Sequence, residues 1–121
     1  MKTIFIVDDN ETNRIAAKTA LDKTYTTYAM PSSERMFSLL EKIRPDLILL
    51  DIDMPDMDGF ETIKILKSNP ETKNIPVVFL TASTVSNDRL EGLCLGADDY
   101  ISKPFQPTLL LQRISNALSK K

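Results

Sequence analysis

Short apolar runs alternate with polar or amphipathic segments along the whole chain, an alternation typical of parallel strands joined by crossover helices. The runs lie at residues 3 to 7, 24 to 29, 47 to 50, 77 to 80 and 100 to 101. The first, third and fourth are continuously apolar, as expected for central strands that are buried on both faces. The threonine-rich second run suits an edge. The pattern therefore predicts an α/β fold with a five-stranded parallel sheet.

The clearest helix signal follows the second run, in SSERMFSLLEKI (residues 32 to 43). Met36, Leu40 and Ile43 recur at helical spacing with Phe37 beside them, a serine precedes them as a cap, and Pro45 follows as a stop. The other four helices are predicted at residues 11 to 22, from Gly59 after an Asp58 cap, from Ser86 or Asn87 to Gly96, and from Pro107. Their inward faces are expected to carry, in chain order, Ile15, Ala16, Ala20 and Leu21; Phe60, Ile63 and Leu66; Leu90, Leu93 and Cys94; and Leu110, Ile114 and Leu118.

Composition narrows the class of protein. The chain has 121 residues, 42% of them hydrophobic, which suits one domain spanning residues 1 to 121. Fifteen basic and 17 acidic residues leave a formal net charge of -2, so no global field favours nucleic acid or a membrane surface. The single cysteine excludes an internal disulfide, and the N-terminal apolar run is too short for a signal peptide, so a cytoplasmic location is expected. With no histidine, chemistry must rest on carboxylates, hydroxyls and lysine.

Polar residues follow four of the apolar runs. Asp8 and Asp9 come after the first, Asp51 after the third, Thr81 after the fourth and Lys103 after the fifth. Because parallel strands present their carboxyl ends at one edge of the sheet, these side chains are expected to converge there.

A cluster of this kind predicts phosphoryl-transfer chemistry. Neighbouring carboxylates repel by about 4 kcal/mol per pair at an effective dielectric of 20, which favours a bound cation. Mg²⁺, or Mn²⁺ in its place, takes one or two carboxylates and completes its coordination with water and phosphate oxygens. An aspartate can then attack a phosphorylated donor, while Lys103 and the Thr81 hydroxyl take phosphoryl oxygens.

Four motifs in register resemble the receiver domain of two-component response regulators. They are VDDN (7 to 10), LLDIDMPDMDG (49 to 59), FLTAS (79 to 83) and GADDYISKPF (96 to 105). The resemblance covers the whole chain and implies a doubly wound (βα)5 fold with the flavodoxin-like strand order 2-1-3-4-5. It also implies that Asp51 is the phosphoacceptor.

The resemblance assigns metal ligands as well. Asp9 and Asp51 are expected to bind the metal directly, Asp8 mainly through water, and Asp53 through its backbone carbonyl. Asp56 and Asp58 are instead expected to serve a turn and a helix cap.

Three more roles follow from the same resemblance. Lys103 is expected to pair with the Asp51 carboxylate and then with the phosphoryl group. Thr81 is expected to move toward the phosphoryl group, and Tyr100 to change rotamer as a consequence.

The implied function is a phosphorylation switch rather than an enzyme, although the domain would assist its own phosphorylation and dephosphorylation. The expected donor is a sensor histidine kinase, a histidine phosphotransfer protein or a small acyl phosphate. A downstream protein is expected to bind the surface formed by the fourth helix, fifth strand and fifth helix, roughly residues 85 to 119.

Direct binding of nucleic acid or membrane is not expected, and the chain is expected to be a monomer or a phosphorylation-dependent dimer. No output domain is expected within these residues, and both a stand-alone regulator and a domain of a hybrid kinase remain open.

Three other functions compete with this interpretation. An EF-hand fails on register, because a loop starting at Asp51 places Asp56 at the sixth position, where glycine is needed. The Asp51-Ile52-Asp53 segment also resembles the aspartate pair of haloacid-dehalogenase phosphatases, but Pro55 and the position on the third strand depart from that motif. A receiver-fold binding module without phosphorylation is the third alternative, although such members usually lack an acid or the lysine that this chain retains.

Overall fold

The computed structural model describes residues 1–52, 59–82, 97–103 and 105–119, and its strands form one parallel sheet. The strands are β1 (Thr3–Val7), β2 (Thr26–Met30), β3 (Leu47–Asp51), β4 (Val77–Ala82) and β5 (Asp99–Lys103). Their order is β2-β1-β3-β4-β5, and every neighbouring pair is parallel. The predicted fold class and the edge position of the second strand are therefore confirmed.

The described helices follow β1, β2, β3 and β5. They are α1 (Glu11–Leu21), α2 (Ser33–Leu40), α3 (Gly59–Ser68) and α4 (Pro107–Ser119). The side chains of Asn10 and Ser32 cap α1 and α2 by accepting hydrogen bonds from backbone N–H groups three residues later. The last helix, α4, corresponds to the fifth predicted helix, because the predicted fourth helix (86 to 96) lies outside the described residues. The predicted Asp58 cap of α3 also lies outside them. Within the described ranges, no helix is both long and apolar enough to cross a membrane.

Alternate residues of each strand build two hydrophobic layers, because successive side chains of a strand point to opposite faces of the sheet. One layer packs beneath α1 and α4 and contains Ile4, Ile6, Leu47, Leu49, Val78, Leu80, Ile101, Ala17, Leu21, Leu110, Ile114, Ala117 and Leu118. The other packs beneath α2 and α3 and contains Phe5, Val7, Ile48, Leu50, Val77, Phe79, Met36, Ile63 and Leu66. The central strand β3 is buried along its whole length, as its continuous apolar run predicted.

The apolar face predicted for the first helix is partly wrong. Ala17 and Leu21 are the buried residues of α1, whereas Ile15 is 57% exposed. The helix turns by about 100° per residue, so Ile15 lies roughly opposite Ala17 once that residue faces the sheet. Of the other predicted residues, Ala20 is partly buried and Ala16 is exposed.

Some element boundaries also differ from the prediction. The second strand begins at Thr26 rather than residue 24, because the N–H groups of Thr24 and Tyr25 donate to Leu21 O and close the end of α1. The helix predicted over residues 32 to 43 ends at Leu40, and the N–H groups of residues 42 and 43 both bond to Leu39 O.

The third, fourth and fifth strands extend further than their apolar runs. The parallel ladder continues through Asp51 opposite Leu80, and through Ala82 opposite Lys103. Asp51, Thr81 and Lys103, which were predicted to follow these strands, therefore belong to the ends of the strands themselves. The backbone hydrogen bonds of the sheet fix their positions.

Candidate functional site

Charged side chains from three strands meet at the carboxyl edge of the sheet. Asp8 directly follows β1, while Asp51 ends β3 and Lys103 ends β5. Lys103 Nζ lies 3.0 Å from Asp51 Oδ2 and 3.3 Å from Asp8 Oδ2. The strand order reverses between β1 and β3, and in open α/β sheets this reversal is where ligands bind. The site therefore lies in the crevice that the fold itself creates.

Asp8 is fully buried and is held through several of its atoms. Its N–H donates to Met30 O at 3.1 Å, its Oδ1 accepts from the N–H of Asn10 at 2.9 Å, and its carbonyl accepts from Arg14 Nη1 at 2.8 Å. Its Oδ2, although close to Lys103 Nζ, has no partner in hydrogen-bond geometry among the described residues. A buried carboxylate oxygen is thus directed into the site without a hydrogen bond.

The charge of Asp8 is unfavourable in this position. Burial raises its pKa from 3.8 to about 6, and the nearby Asp51 carboxylate adds to the shift. The hydrogen bond from Asn10 and the ammonium of Lys103 act in the opposite direction but do not cancel it. The site therefore gains from a bound cation, because a cation lowers the cost of ionising Asp8.

Lys103 supplies one positive charge to this cluster. Burial alone would lower the pKa of Lys103, but the Asp51 and Asp8 carboxylates outweigh burial and raise the pKa above its ordinary value. The side chain is only 18% exposed, so solvent screens these ion pairs weakly. The ammonium therefore stays protonated and neutralises part of the acidic cluster.

Three carboxylates in the site could hold a metal ion. Asp8, Asp9 and Asp51 each offer an oxygen, and these oxygens lie within 4.8 Å of one another. Asp9 is exposed while the other two are buried, so the cluster opens to solvent on one side. Oxygen ligands of this kind suit hard divalent cations, and Asp8 has one buried carboxylate oxygen, Oδ2, without a hydrogen bond among the described residues. The residues present thus fit a cation such as Mg²⁺.

The remaining predicted site residues differ in how far the structure describes them. Thr81 is buried near the end of β4, between the strands that carry Asp51 and Lys103. Tyr100 is 38% exposed on β5 and lines a surface groove of about 490 Å³ between β5 and α4. The predicted carbonyl ligand Asp53 lies outside the described residues, as do Asp56 and Asp58.

Two neighbours of the cluster were missed in the sequence. Asn10 caps α1 with its side chain and bonds to Asp8 Oδ1 through its N–H. Arg14 reaches back from the first turns of α1 to the carbonyl of Asp8. No residue pattern in the sequence indicated the second contact.

The sequence matches the family model described as "Response regulator receiver domain" over residues 4–115. The sheet order is that of a receiver-type α/β domain, and the chain belongs to this family. Receiver domains act in two-component signalling, generally as phosphorylation switches.

Three similar proteins illustrate the match. The phosphate regulon transcriptional regulatory protein PhoB of Pseudomonas aeruginosa is 37% identical over 120 residues, which are 98% of this chain and 52% of PhoB. The receiver domain of a signal transduction histidine kinase from Syntrophus aciditrophicus has a TM-score of 0.89 at 34% identity, covering 99% of this chain and 92% of that domain. The receiver domain of a sensor histidine kinase from Pseudomonas aeruginosa PAO1, with a magnesium ion coordinated in its active-site cleft, has a TM-score of 0.87 at 25% identity and covers 98% of both chains.

The curated relatives are longer than this chain. It spans 52% of PhoB and 25–27% of two other relatives. The shared part is the receiver domain, so the similarity concerns this domain alone.

Proposed function

We propose that the chain is a phosphorylation switch in which Asp51 accepts the phosphoryl group. One observation carries the proposal: Lys103 Nζ lies 3.0 Å from Asp51 Oδ2, within a cluster of three carboxylates that fits a divalent cation. Buried, interacting charges in a cleft are candidates for a functional site.

The proposed reaction transfers a phosphoryl group to a carboxylate oxygen of Asp51. A new P–O bond forms at Asp51, and the bond from phosphorus to the donor's imidazole nitrogen or acyl oxygen breaks, with the electron pair leaving on the donor. The product is an acyl phosphate. An ionised carboxylate is already a nucleophile, so the step requires no general base from this histidine-free chain.

Phosphoryl transfer depends mainly on positioning and charge neutralisation. Bound by Asp8, Asp9, Asp51 and the carbonyl of Asp53, Mg²⁺ would neutralise charge on the phosphoryl oxygens. The ammonium of Lys103 already touches the acceptor carboxylate, so it is placed to bind a second phosphoryl oxygen as charge develops.

In this proposal the phosphoryl group changes the balance between two conformations. It adds about 1.5 to 2 negative charges and three strong acceptor oxygens beside Thr81 and Lys103. Moving the domain from 1:99 to 99:1 requires about 5.5 kcal/mol of differential stabilisation. Two to four charge-assisted hydrogen bonds, each contributing about 1.5–3 kcal/mol, would supply this difference.

We propose that a downstream protein reads this change on the side of the sheet that carries Tyr100. The groove of about 490 Å³ beside Tyr100 is lined by Ile101, Ser102, Gln106, Leu109 and Arg113, which belong to or adjoin β5 and α4. Tyr100 on β5 pairs with Phe79 on the neighbouring strand β4. Thr81 lies two residues after Phe79, on the same face of β4. A shift of Thr81 toward the phosphoryl group would therefore leave space for the Tyr100 ring to move inward.

The donor in this proposal carries its phosphoryl group on histidine, as a sensor kinase or a phosphotransfer protein does. This chain lacks histidine, so the phosphohistidine must belong to another protein or another part of a larger one. A small acyl phosphate can replace that donor in vitro.

Intact-protein mass spectrometry tests the proposal directly. The wild type, incubated with MgCl2 and an acyl phosphate, is expected to gain the mass of one phosphoryl group, and Asp51→Asn is expected to gain none. Asp46→Asn is the matched control, because it removes a carboxylate at the amino end of the same strand while keeping an oxygen to accept the N–H of Thr3. Equal labelling of wild type and Asp51→Asn would refute the assignment.

The same reaction separates a switch from a phosphatase. A switch is expected to take up one phosphoryl group per chain and to release it slowly. Rapid release of many equivalents of phosphate from small esters would indicate a phosphatase instead.

A further inference from the structure

The turn between β1 and α1 is held by an arginine that the proposed reaction does not use. Arg14 Nη1 donates to the carbonyl of Asp8 at 2.8 Å, and the N–H of Arg14 donates to Asn10 O at 3.0 Å. The backbone of Arg14 is therefore fixed in the first turns of α1, while its half-buried side chain returns to the strand end. These two bonds close the turn that carries Asp8 and Asp9.

The Arg14 contact completes the fixation of Asp8. The N–H of Asp8 is held by Met30 and its Oδ1 by Asn10, so the bond from Arg14 fixes the remaining backbone group, the carbonyl. The Oδ2 atom is left directed toward Lys103 without a hydrogen bond. The orientation of this oxygen thus depends on contacts made at the other polar atoms of the residue.

From this geometry we infer that Arg14 is a positioning residue for the cation site: its bond to the Asp8 carbonyl holds Asp8 and Asp9 in the arrangement that binds a divalent cation. The inference rests on the proposed function, because it takes the acidic cluster to be the metal site. Arg14 acts through the backbone of the turn and touches neither the cation nor the phosphoryl group. Partners that orient metal ligands in this way typically change metal affinity by 10- to 100-fold when they are removed.

Electrostatics alone makes the opposite prediction. The guanidinium lies against the Asp8 carbonyl, so its positive charge is close to the acidic cluster. If Arg14 acted only through its charge, removing it would strengthen the binding of a divalent cation. If Arg14 positions the turn, removing it weakens binding despite the gain in negative charge. The sign of the change in affinity therefore decides between the two explanations.

Isothermal titration of the unphosphorylated full chain with MgCl2 measures this sign. Arg14→Ala is expected to raise the dissociation constant for Mg²⁺ by about tenfold, and Arg14→Lys, which keeps a donor, by less. Arg35→Ala is the matched control, because it removes the same charge from an exposed position on α2 and is expected to leave the affinity unchanged. Equal or tighter binding by Arg14→Ala would overturn the inference, even if the variant melted at a lower temperature.

A second measurement needs no metal. Loss of the Arg14 contact should loosen the turn, so the amide of Asn10, which donates to Asp8 Oδ1, is expected to exchange its hydrogen faster in Arg14→Ala but not in Arg35→Ala. Unchanged exchange at Asn10 would also overturn the inference. A wild type that fails to bind Mg²⁺ would refute the proposed function together with the inference, whereas wild-type binding with undiminished affinity in Arg14→Ala refutes the inference alone.

Discussion

Replacing Asp8 by asparagine removes the buried carboxylate whose ionisation opposes folding. The pKa of Asp8 is 3.8 without the folded environment and about 6 within it, chiefly because of burial. The folded chain therefore binds this proton more tightly than the unfolded chain does. The stabilisation that the bound proton gives to the fold is fully present below about pH 4 and is lost as the pH rises through about 6. At neutral pH the ionised Asp8 carboxylate therefore destabilises the fold.

The size of this effect follows from the shift. A pKa difference of about two units, at about 1.4 kcal/mol per unit, corresponds to about 3 kcal/mol at neutral pH. Asparagine keeps an Oδ1 that can accept the N–H of Asn10, but it loses the attraction of Lys103 for a negative charge. We therefore expect Asp8→Asn to raise the free energy of unfolding by about 1–3 kcal/mol at neutral pH without metal.

Urea denaturation in EDTA, repeated from about pH 4 to about pH 8, measures this gain. The difference in stability between Asp8→Asn and wild type is expected to be near zero at the lowest pH and to grow as the pH rises through about 6. Asp46→Asn, with the same charge change at the opposite edge of the sheet, is the control and should not reproduce this profile. A variant less stable than wild type at neutral pH, or a difference independent of pH, would refute the reasoning.

Magnesium should reduce the stability advantage of Asp8→Asn over wild type. At a concentration 100 times the dissociation constant, a cation that binds only the folded chain adds about 2.7 kcal/mol of stability. Wild type is expected to gain this amount, and Asp8→Asn to gain less, because it lacks one of the three carboxylates. Equal stabilisation of both proteins by MgCl2 would exclude Asp8 from the cation site.

Three further changes test other parts of the structure. Lys103→Met removes the ammonium 3.0 Å from Asp51 Oδ2. It is expected to slow phosphorylation by an acyl phosphate about a hundredfold, as measured by intact-protein mass spectrometry. A rate within about twofold of wild type would contradict the proposed role of Lys103. Thr81→Ala is expected to accept the phosphoryl group but to lose the accompanying NMR shift changes in β5, and a full set of shifts would exclude Thr81 from the switch. Ile114→Ala leaves a cavity at a fully buried position on the inward face of α4 and is expected to lower the free energy of unfolding by about 2–5 kcal/mol, measured in urea. Leu109→Ala, at a side chain 39% exposed, should change the free energy of unfolding far less.

The convergence of the charged residues could be predicted because it depends only on the strand pattern. Each of Asp8, Asp51 and Lys103 stands at the carboxyl end of an apolar run, and parallel strands bring those ends to one edge. The distances of 3.0 and 3.3 Å to Lys103 depend on the register between strands, which the residue pattern does not specify to one residue. The roles of these residues remain predictions that the experiments above test.

Other features depended on contacts between distant parts of the chain. The apolar spacing of the first helix predicted a buried face with Ile15, Ala16, Ala20 and Leu21, whereas the buried face of the folded helix carries Ala17 and Leu21. Packing against the sheet and α4 decided it, since Ala17 allows close approach and Ile15 remains outside. The start of β2 was likewise set by the end of α1, where Leu21 O takes two N–H groups that a strand would need.

Apart from the spatial order of the strands, which only the resemblance to receiver domains implied, the sequence by itself determined the number of strands, the parallel class of the sheet, the edge position of β2 and the residues found at the carboxyl edge. Those properties follow from local hydrophobic patterning, which each segment carries independently of the others. Only the tertiary structure decided the burial and raised pKa of Asp8, and the use of Arg14 to hold its carbonyl. These properties arise because a carboxylate's energy depends on the charges and donors that surround it, and folding brings those groups from β2, α1, β3 and β5 into contact.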